Sequence, residues 1–448
     1  MMSETEHQMS TTPTLSGQRR PAPAAPEHLA HVVFIAAVGA LGGFLFGYDS
    51  AVINGAVSGI QDHFAVGAGE TALPVSVYKR QVLPFSLWEL AAWRVVGGVA
   101  IGIASVIAPT YIAEVAPPVY RGRLASFQQL AIVLGIAVSQ LVNYAIAEAA
   151  GGQTGNRLGG LAAWQWMLGV AVVPAVVYFV LAALIPESPR FLVAVGRLAQ
   201  ARRVLRDVEG ERIDLDARVA EIQAAIATDH RPRLSDLRGR FGLLPIVWVG
   251  IGLSVFQQLV GINVIFYYSS TLWQSVGIDQ SSSLLISLST SVINIIGTVI
   301  AMALVDRVGR KPLALVGSVG MAVALGTAAW AFSYASGSGD NVTIPAAQGL
   351  VALLAAHVFV LFFALSWGVV VWVMLGEMFP GRVRAAAMSV ATAAQWIANW
   401  LITVTFPSLA EWNLSATYLG YTAFAVLSIG FVAKFIRETK GKKLEEMG

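Results

Sequence analysis

Two ionisable side chains stand inside long apolar stretches: Asp49, in Phe46-Gly47-Tyr48-Asp49, and Arg94, in Trp93-Arg94-Val95. A charge near the middle of a bilayer costs about 2.5 to 3.5 kcal/mol on insertion scales, so such groups are kept for function or are paired. Asp49 lies deep in the first apolar stretch and Arg94 near the start of the next, which runs back the other way. Both therefore sit at similar depth. If they meet, protonating the carboxylate releases the guanidinium, which is the outline of a proton-coupled switch. A static ion pair holding two helices together uses the same residues.

A second constellation is uncharged. Phe256-Gln257-Gln258-Leu259-Val260-Gly261-Ile262-Asn263 is followed by Tyr267-Tyr268, a concentration of amides and phenols in an otherwise apolar segment. Gln258 and Asn263 share a face if Gly261 loosens the turn between them. Amides that donate and accept, set beside aromatic planes, suit a neutral polyhydroxylated ligand such as a sugar, whose hydroxyls need both kinds of partner. A charged ligand calls for a buried counter-charge. Gln129, Asn294, Trp372, Gln395 and Trp396 supply similar groups on other apolar segments. Hydrogen-bond glue between helices is the competing use of any one of them, and convergence from several segments favours a shared site.

A third set lies in polar turns. Asp306-Arg307-Val308-Gly309-Arg310-Lys311 fills the turn between two apolar segments, where Gly309 permits a tight reversal and the charges can latch helix ends. Glu114-x-x-Pro117-x-x-x-Arg121-x-x-x-x-Ser126 recurs as Glu377-x-x-Pro380-x-x-x-Arg384-x-x-x-x-Ser389, with the same offset at every position. This is an internal repeat, and it divides the chain into related halves. Duplicated halves are a mark of secondary transporters, which bind near the midplane between the halves and rock to alternate access. The Glu114/Arg121 and Glu377/Arg384 pairs are expected to form inter-helix salt bridges at one face. Exposed pairs contribute only about 0 to 1 kcal/mol each, a weakness that suits a gate.

The scaffold that holds these groups is legible in the composition. Of 448 residues, 56% are hydrophobic and 12% charged, about half the charge of a soluble protein, and the mean hydropathy is +0.67. The expected fold class is an all-α membrane protein of two pseudo-repeated helical halves. Stretches such as 243–253 and 369–375 are apolar on every face, unlike the alternating strands of a barrel. Ten spans are expected, at 31–58, 90–113, 124–147, 164–185, 242–272, 282–304, 312–334, 346–376, 385–410 and 415–436. Residues 1–30 read as a disordered tail, 31–185 as the first half, 186–241 as a polar linker with short helices at 198–205 and 219–226, 242–436 as the second half, and 437–448 as a second tail. With both termini inside, all of the 29 Lys and Arg except Lys79, Arg80, Arg157 and the intramembrane Arg94 fall on the cytoplasmic side. The chain has no Cys, which removes disulfides, thiolate catalysis and Cys-ligated metal. No cofactor, metal site or nucleic-acid partner is expected. The lipid bilayer is.

Taken together, these segments resemble the sugar porter branch of the major facilitator superfamily. The matching pieces are Gly47-Tyr48-Asp49, Arg121-Gly122-Arg123, Pro186-Glu187-Ser188-Pro189-Arg190, Gln257-Gln258-Leu259-Val260-Gly261-Ile262-Asn263, Asp306 to Lys311, and Glu438-Thr439-Lys440-Gly441-Lys442. The nearest resemblance is to bacterial proton-coupled xylose or glucose symporters, in which an aspartate matched by Asp49 pairs with an arginine matched by Arg94. Uniporting relatives have a neutral residue at the aspartate position. The resemblance implies sugar contacts at Phe46, Gln129, Gln257, Gln258, Asn263, Asn294, Trp372, Gln395 and Trp396. It places Tyr267 and Tyr268 near an outer gate, and Glu114, Arg121, Asp306, Arg307, Arg310, Glu377 and Arg384 at a cytoplasmic one. It implies a monomer in the plasma membrane that takes a monosaccharide and protons.

The sequence also departs from that pattern. The family has twelve helices and an Asp-Arg-x-Gly-Arg turn in each half, whereas this chain passes from Glu70 through Val77-Tyr78-Lys79-Arg80-Gln81 to Leu83-Pro84-Phe85. The second and third helices and one such turn are missing, with the junction near 71–83. Loss of two consecutive spans preserves the sidedness of all the others. Loose packing beside the first helix and impaired transport are expected. A membrane glycosyltransferase would need clustered carboxylates or a metal-binding pair in the loops, which hold neither, and a sugar sensor would carry a long signalling tail.

Overall fold

The computed structural model describes residues 29–64, 86–115, 121–210, 214–228, 234–239, 242–274, 276–336, 343–380 and 383–439. The expected tail before residue 29, the junction at 71–83 with Lys79 and Arg80, and residues 440–448 lie outside them.

A backbone surrounded by lipid must satisfy its own donors and acceptors, so apolar segments of this length close into helices. The first half holds α1 (Leu29–Phe64), α2 (Leu87–Val115), α3 (Arg121–Ala149), α4 (Ala163–Val170) and α5 (Val172–Leu184). A linker carries α6 (Pro189–Ala194), α7 (Leu198–Glu209) and α8 (Leu215–Thr228). The second half holds α9 (Pro245–Leu259), α10 (Ile262–Gln274), α11 (Gln280–Val308), α12 (Arg310–Phe332), α13 (Ala346–Ala364), α14 (Trp367–Met378) and α15 (Arg384–Phe435). Among the described residues, 8 helical stretches are long and apolar enough to cross a membrane. One of these, α15, contains two expected spans divided at Asn413, whose backbone leaves the helical region. Together with α2, they place the body of every span read from the sequence on helix. The only strands among the described residues are two-residue antiparallel pairs, 157–158 with 161–162 and 238–239 with 242–243.

Within the first half, α1 packs along α3 and against α2. Glycine sets the approach of α1 and α3: a Cβ on Gly47 would lie 2.0 Å from the carbonyl of Ile132, and one on Gly135 would lie 2.1 Å from that of Phe44. Small residues at a crossing allow such contact, and packing rather than hydrophobic burial drives association in lipid. In the second half, α12 packs on α13 and α15, and α9 on α15. The halves meet where α10 lies on α1 and α11 on α3. Ser188 caps α6 by accepting from Phe191 N, with Pro189 in the first turn. The linker helices then bury Leu192, Val204, Leu205 and Val219 against Val32, Ile35 and Ile112. On α2, by contrast, Trp88, Val95, Val96, Val99, Ile103 and Ile107 are exposed.

Candidate functional site

The break between α9 and α10 builds the centre of the site. Gly261 adopts φ +82°, a left-handed conformation that favours glycine, and the chain restarts as helix at Ile262. The break sets Asn263 against the end of the preceding helix, where its Nδ2 donates to Gln258 Oε1 at 2.6 Å, and Nδ2 also donates to Asn399 Oδ1 at 2.8 Å. The relay continues as Gln258 Nε2 donates to Gln257 Oε1 at 3.2 Å and Gln257 Nε2 to the Trp367 carbonyl at 2.9 Å. The shared face expected of Gln258 and Asn263 is present, for the expected reason.

Phe46, Gln129, Gln257, Gln258, Asn263, Asn294, Trp372, Gln395 and Trp396 all line one cavity of about 130 Å³ between the halves. That is small beside the roughly 300 to 1,000 Å³ of common ligand pockets, and it suits a single small molecule. Trp396 packs edge-on against Phe46, with ring centroids 5.6 Å apart. Gln395 Oε1 is buried with no hydrogen-bond partner. A buried acceptor left open in a polar cavity is a place for a ligand hydroxyl, since leaving it unmet costs about 1 to 3 kcal/mol.

Asp49 and Arg94 do meet. Arg94 Nη2 lies 3.8 Å from Asp49 Oδ2 and donates to the Asp49 carbonyl at 3.4 Å, with Arg94 almost wholly buried. The carboxylate contact is longer than a hydrogen bond, so the pair is held by charge more than by direct donation. Both residues face a second cavity, of about 400 Å³, framed by α1, α2, α10 and α15. This space lies beside the first helix, where the sequence predicts loose packing. It shares Phe46, Ser50, Tyr267 and Trp396 with the amide cavity. Tyr267 thus lines both spaces, and Tyr268 donates its hydroxyl to the Thr403 carbonyl at 3.3 Å.

The charged turns need one correction. Glu377 does not pair with Arg384 as expected. Arg310 grips it with Nη2 at 2.7 Å and Nε at 3.1 Å while also reaching Asp306 at 3.0 Å. Arg384 Nε donates instead to the Phe379 carbonyl at 3.1 Å. The planar guanidinium of Arg310 matches a carboxylate in two places, and Arg384 is engaged by the Phe379 carbonyl. Glu438 completes this cluster by accepting from the backbone N–H groups of Arg310 and Lys311, both at 3.0 Å, at the start of α12. In the first half Glu114 accepts from the Ser188 hydroxyl. The Arg121 side chain lies outside the described residues, so its expected pairing with Glu114 is not seen.

The far end of the bundle from the 306–311 turn is stitched across the halves by residues that the sequence reading passed over. Asn54 Oδ1 accepts from Ser270 N at 2.9 Å, and Ser270 Oγ donates to the Asn54 carbonyl at 2.6 Å. Gln280 exchanges two bonds with Thr154, at 2.8 and 3.0 Å, and Gln274 donates to Ser58 at 3.3 Å. Asn54 and Gln140 are amides in apolar helices, the same signal that singled out Gln129, and they bond to each other at 3.0 Å. Asn399 was also missed, although it sits one helical turn beyond Gln395 on the same face.

Comparison with known proteins gives the family. A profile described as "Sugar (and other) transporter" matches residues 75–448. The glucose transport protein of Synechocystis is 48% identical over 454 aligned residues, which cover 93% of this chain and 97% of that protein. Those aligned positions outnumber the 448 residues of this chain, so the relative contains sequence that is missing here. The D-xylose-proton symporter of Escherichia coli K12 is 38% identical over 83% of this chain and 73% of its own length. The solved structure of the E. coli xylose transporter XylE in a partially occluded, inward-open conformation superposes with a TM-score of 0.74 at 31% identity, over 92% of this chain and all of that one. The profile match, the two relatives and the shared fold lead to one assignment: this chain is a multi-pass membrane protein of the sugar transporter family of the major facilitator superfamily.

Proposed function

We propose that the chain moves a monosaccharide of the glucose or xylose type together with a proton, by alternating access between its halves. One observation carries the reading. The cavity of paired amides and aromatic rings shares a wall with the space that holds Asp49 and Arg94, so ligand and ion pair act on the same side chains, Phe46, Ser50, Tyr267 and Trp396. Relatives named as a D-xylose-proton symporter and an arabinose-proton symporter support the coupling. A neutral ligand meets donors and acceptors in the amide relay, and a proton on Asp49 loosens Arg94 from α1. The protein acts as a monomer in the plasma membrane with both termini inside. In that orientation the Asn54–Ser270 and Thr154–Gln280 bonds shut the outer side. Uptake of labelled glucose and xylose by proteoliposomes tests the reading: accumulation should follow an inward proton gradient and collapse with a protonophore. Equal uptake with and without the gradient would make the chain a facilitator.

The pocket assignment makes its own prediction. Gln258→Ala removes one of the two acceptors of Asn263, and Trp372→Ala removes a ring from the wall, so each should weaken sugar binding about tenfold or more by calorimetry. Unchanged affinity in both would place the sugar elsewhere. The outer seal is directly testable, because the sequence has no native cysteine to interfere. A Thr154→Cys/Gln280→Cys pair should cross-link on mild oxidation and stop transport, and reduction should restore it. Transport that continues through a complete cross-link would show that this end need not open.

A further inference from the structure

We propose that the cavity beside Asp49 is a second subsite that takes an apolar aryl group carried on the sugar, so that the chain binds aryl glycosides more tightly than bare monosaccharides. The proposal rests on the sugar reading above. This cavity and the amide pocket adjoin, because Phe46, Ser50, Tyr267 and Trp396 line both.

The two spaces differ in chemistry. The amide pocket presents hydrogen-bonding groups from several helices. Beyond the shared wall the lining is Ile53, Val57, Gly98, Ile101 and Gly102 with the rings of Phe46, Tyr268 and Trp396, around the Asp49–Arg94 pair. A pyranose carries hydroxyls around its whole rim and cannot enter apolar space without leaving some of them unmet. A benzyl group has no such cost. It can place its ring against those of Phe46 and Trp396 and over the guanidinium of Arg94. An apolar cavity of about 150 Å³ is enough for benzene, and this one holds about 400 Å³. A saturated acyl chain from the bilayer fits less well, since it would cover Asp49 and Arg94 while offering neither a π face nor an acceptor. Gly98 and Gly102 are exposed and leave the α2 side of the space open, and a Cβ on Gly102 would meet nothing within 4 Å. A large side chain can therefore be placed at 102 to fill the space.

The test uses the full chain in lipid nanodiscs, with dissociation constants measured for free glucose and xylose and for the methyl and benzyl β-glycosides of each. The benzyl glycoside should bind about tenfold more tightly than the methyl glycoside in at least one series. Gly102→Phe should erase that difference while leaving methyl glycoside affinity in place, and Gly102→Leu should reduce it. A 4-azidobenzyl glycoside, which needs no variant, should photolabel Trp396 or the 98–102 stretch. Equal affinity for benzyl and methyl glycosides in both series overturns the subsite and leaves the sugar reading standing. Loss of all binding by free sugars and methyl glycosides overturns the sugar reading, and this inference with it. A benzyl advantage that appears in detergent and vanishes in nanodiscs shows that lipid occupies the cavity, and labelling confined to other segments shows that the aryl group binds elsewhere. Either result overturns the proposal.

Discussion

Asp49→Asn should abolish accumulation of sugar against its gradient while leaving exchange of sugar across the membrane measurable. Asparagine keeps the size and can still accept from Arg94, but it neither carries the charge nor takes up a proton, so the proposed switch is removed. Arg94 is almost completely buried and 3.8 Å from the carboxylate. Removing its counter-charge therefore weakens the link between α1 and α2 as well as the coupling. The two effects separate by assay, because loss of coupling spares counterflow and loss of fold does not. Retained proton-driven accumulation in Asp49→Asn would remove Asp49 from the mechanism.

The second large effect concerns what the chain lacks. The Synechocystis relative contains sequence that has no counterpart here, and the break in the family pattern between Glu70 and Leu83 is where it is expected to be missing. In the structure a cavity opens beside α1, walled partly by Asp49 and Arg94, and α2 exposes Val95, Val96 and Val99 nearby. The Arg310–Glu377–Asp306 cluster has no first-half equivalent among the described residues, where Glu114 is bonded to Ser188. Inserting the helix-turn-helix segment of a close relative after Glu70 should raise sugar uptake by about an order of magnitude, through closer packing of α1 and a second charged latch. Initial rates in proteoliposomes, normalised to protein in the membrane, decide it. If the unaltered chain transports as fast as the restored one, the shortened bundle is a working transporter in its own right.

Much of this site was legible in the sequence because lipid makes polar groups conspicuous. Gln129, Gln257, Gln258, Asn263, Asn294 and Gln395 stand out against apolar neighbours, and the glycine between Gln258 and Asn263 foretold the break that brings those two together. The fold followed from the same contrast, since spans must be long, apolar and helical. Partner choice was harder to read. The repeat suggested Glu377 with Arg384, yet Arg310 takes Glu377 because two elements distant in sequence converge there. Asn399 and the Asn54–Ser270 contact were likewise invisible, since a lone amide looks the same whether it faces a ligand, a neighbouring helix or the other half. Depth along a helix can be counted from the sequence; rotation about its axis depends on neighbours.

The amide relay from Asn399 through Asn263, Gln258 and Gln257 to the Trp367 carbonyl has a kinetic consequence. These groups answer one another, and on the proposed reading a bound sugar exchanges those bonds for its own instead of adding to them. The free-energy difference between loaded and empty carrier is then shallow. A carrier must come home empty after each delivery, and a site that stayed unsatisfied without cargo would stall on that return stroke. Self-bonding amides keep the unladen molecule comfortable, which favours fast turnover over tight capture.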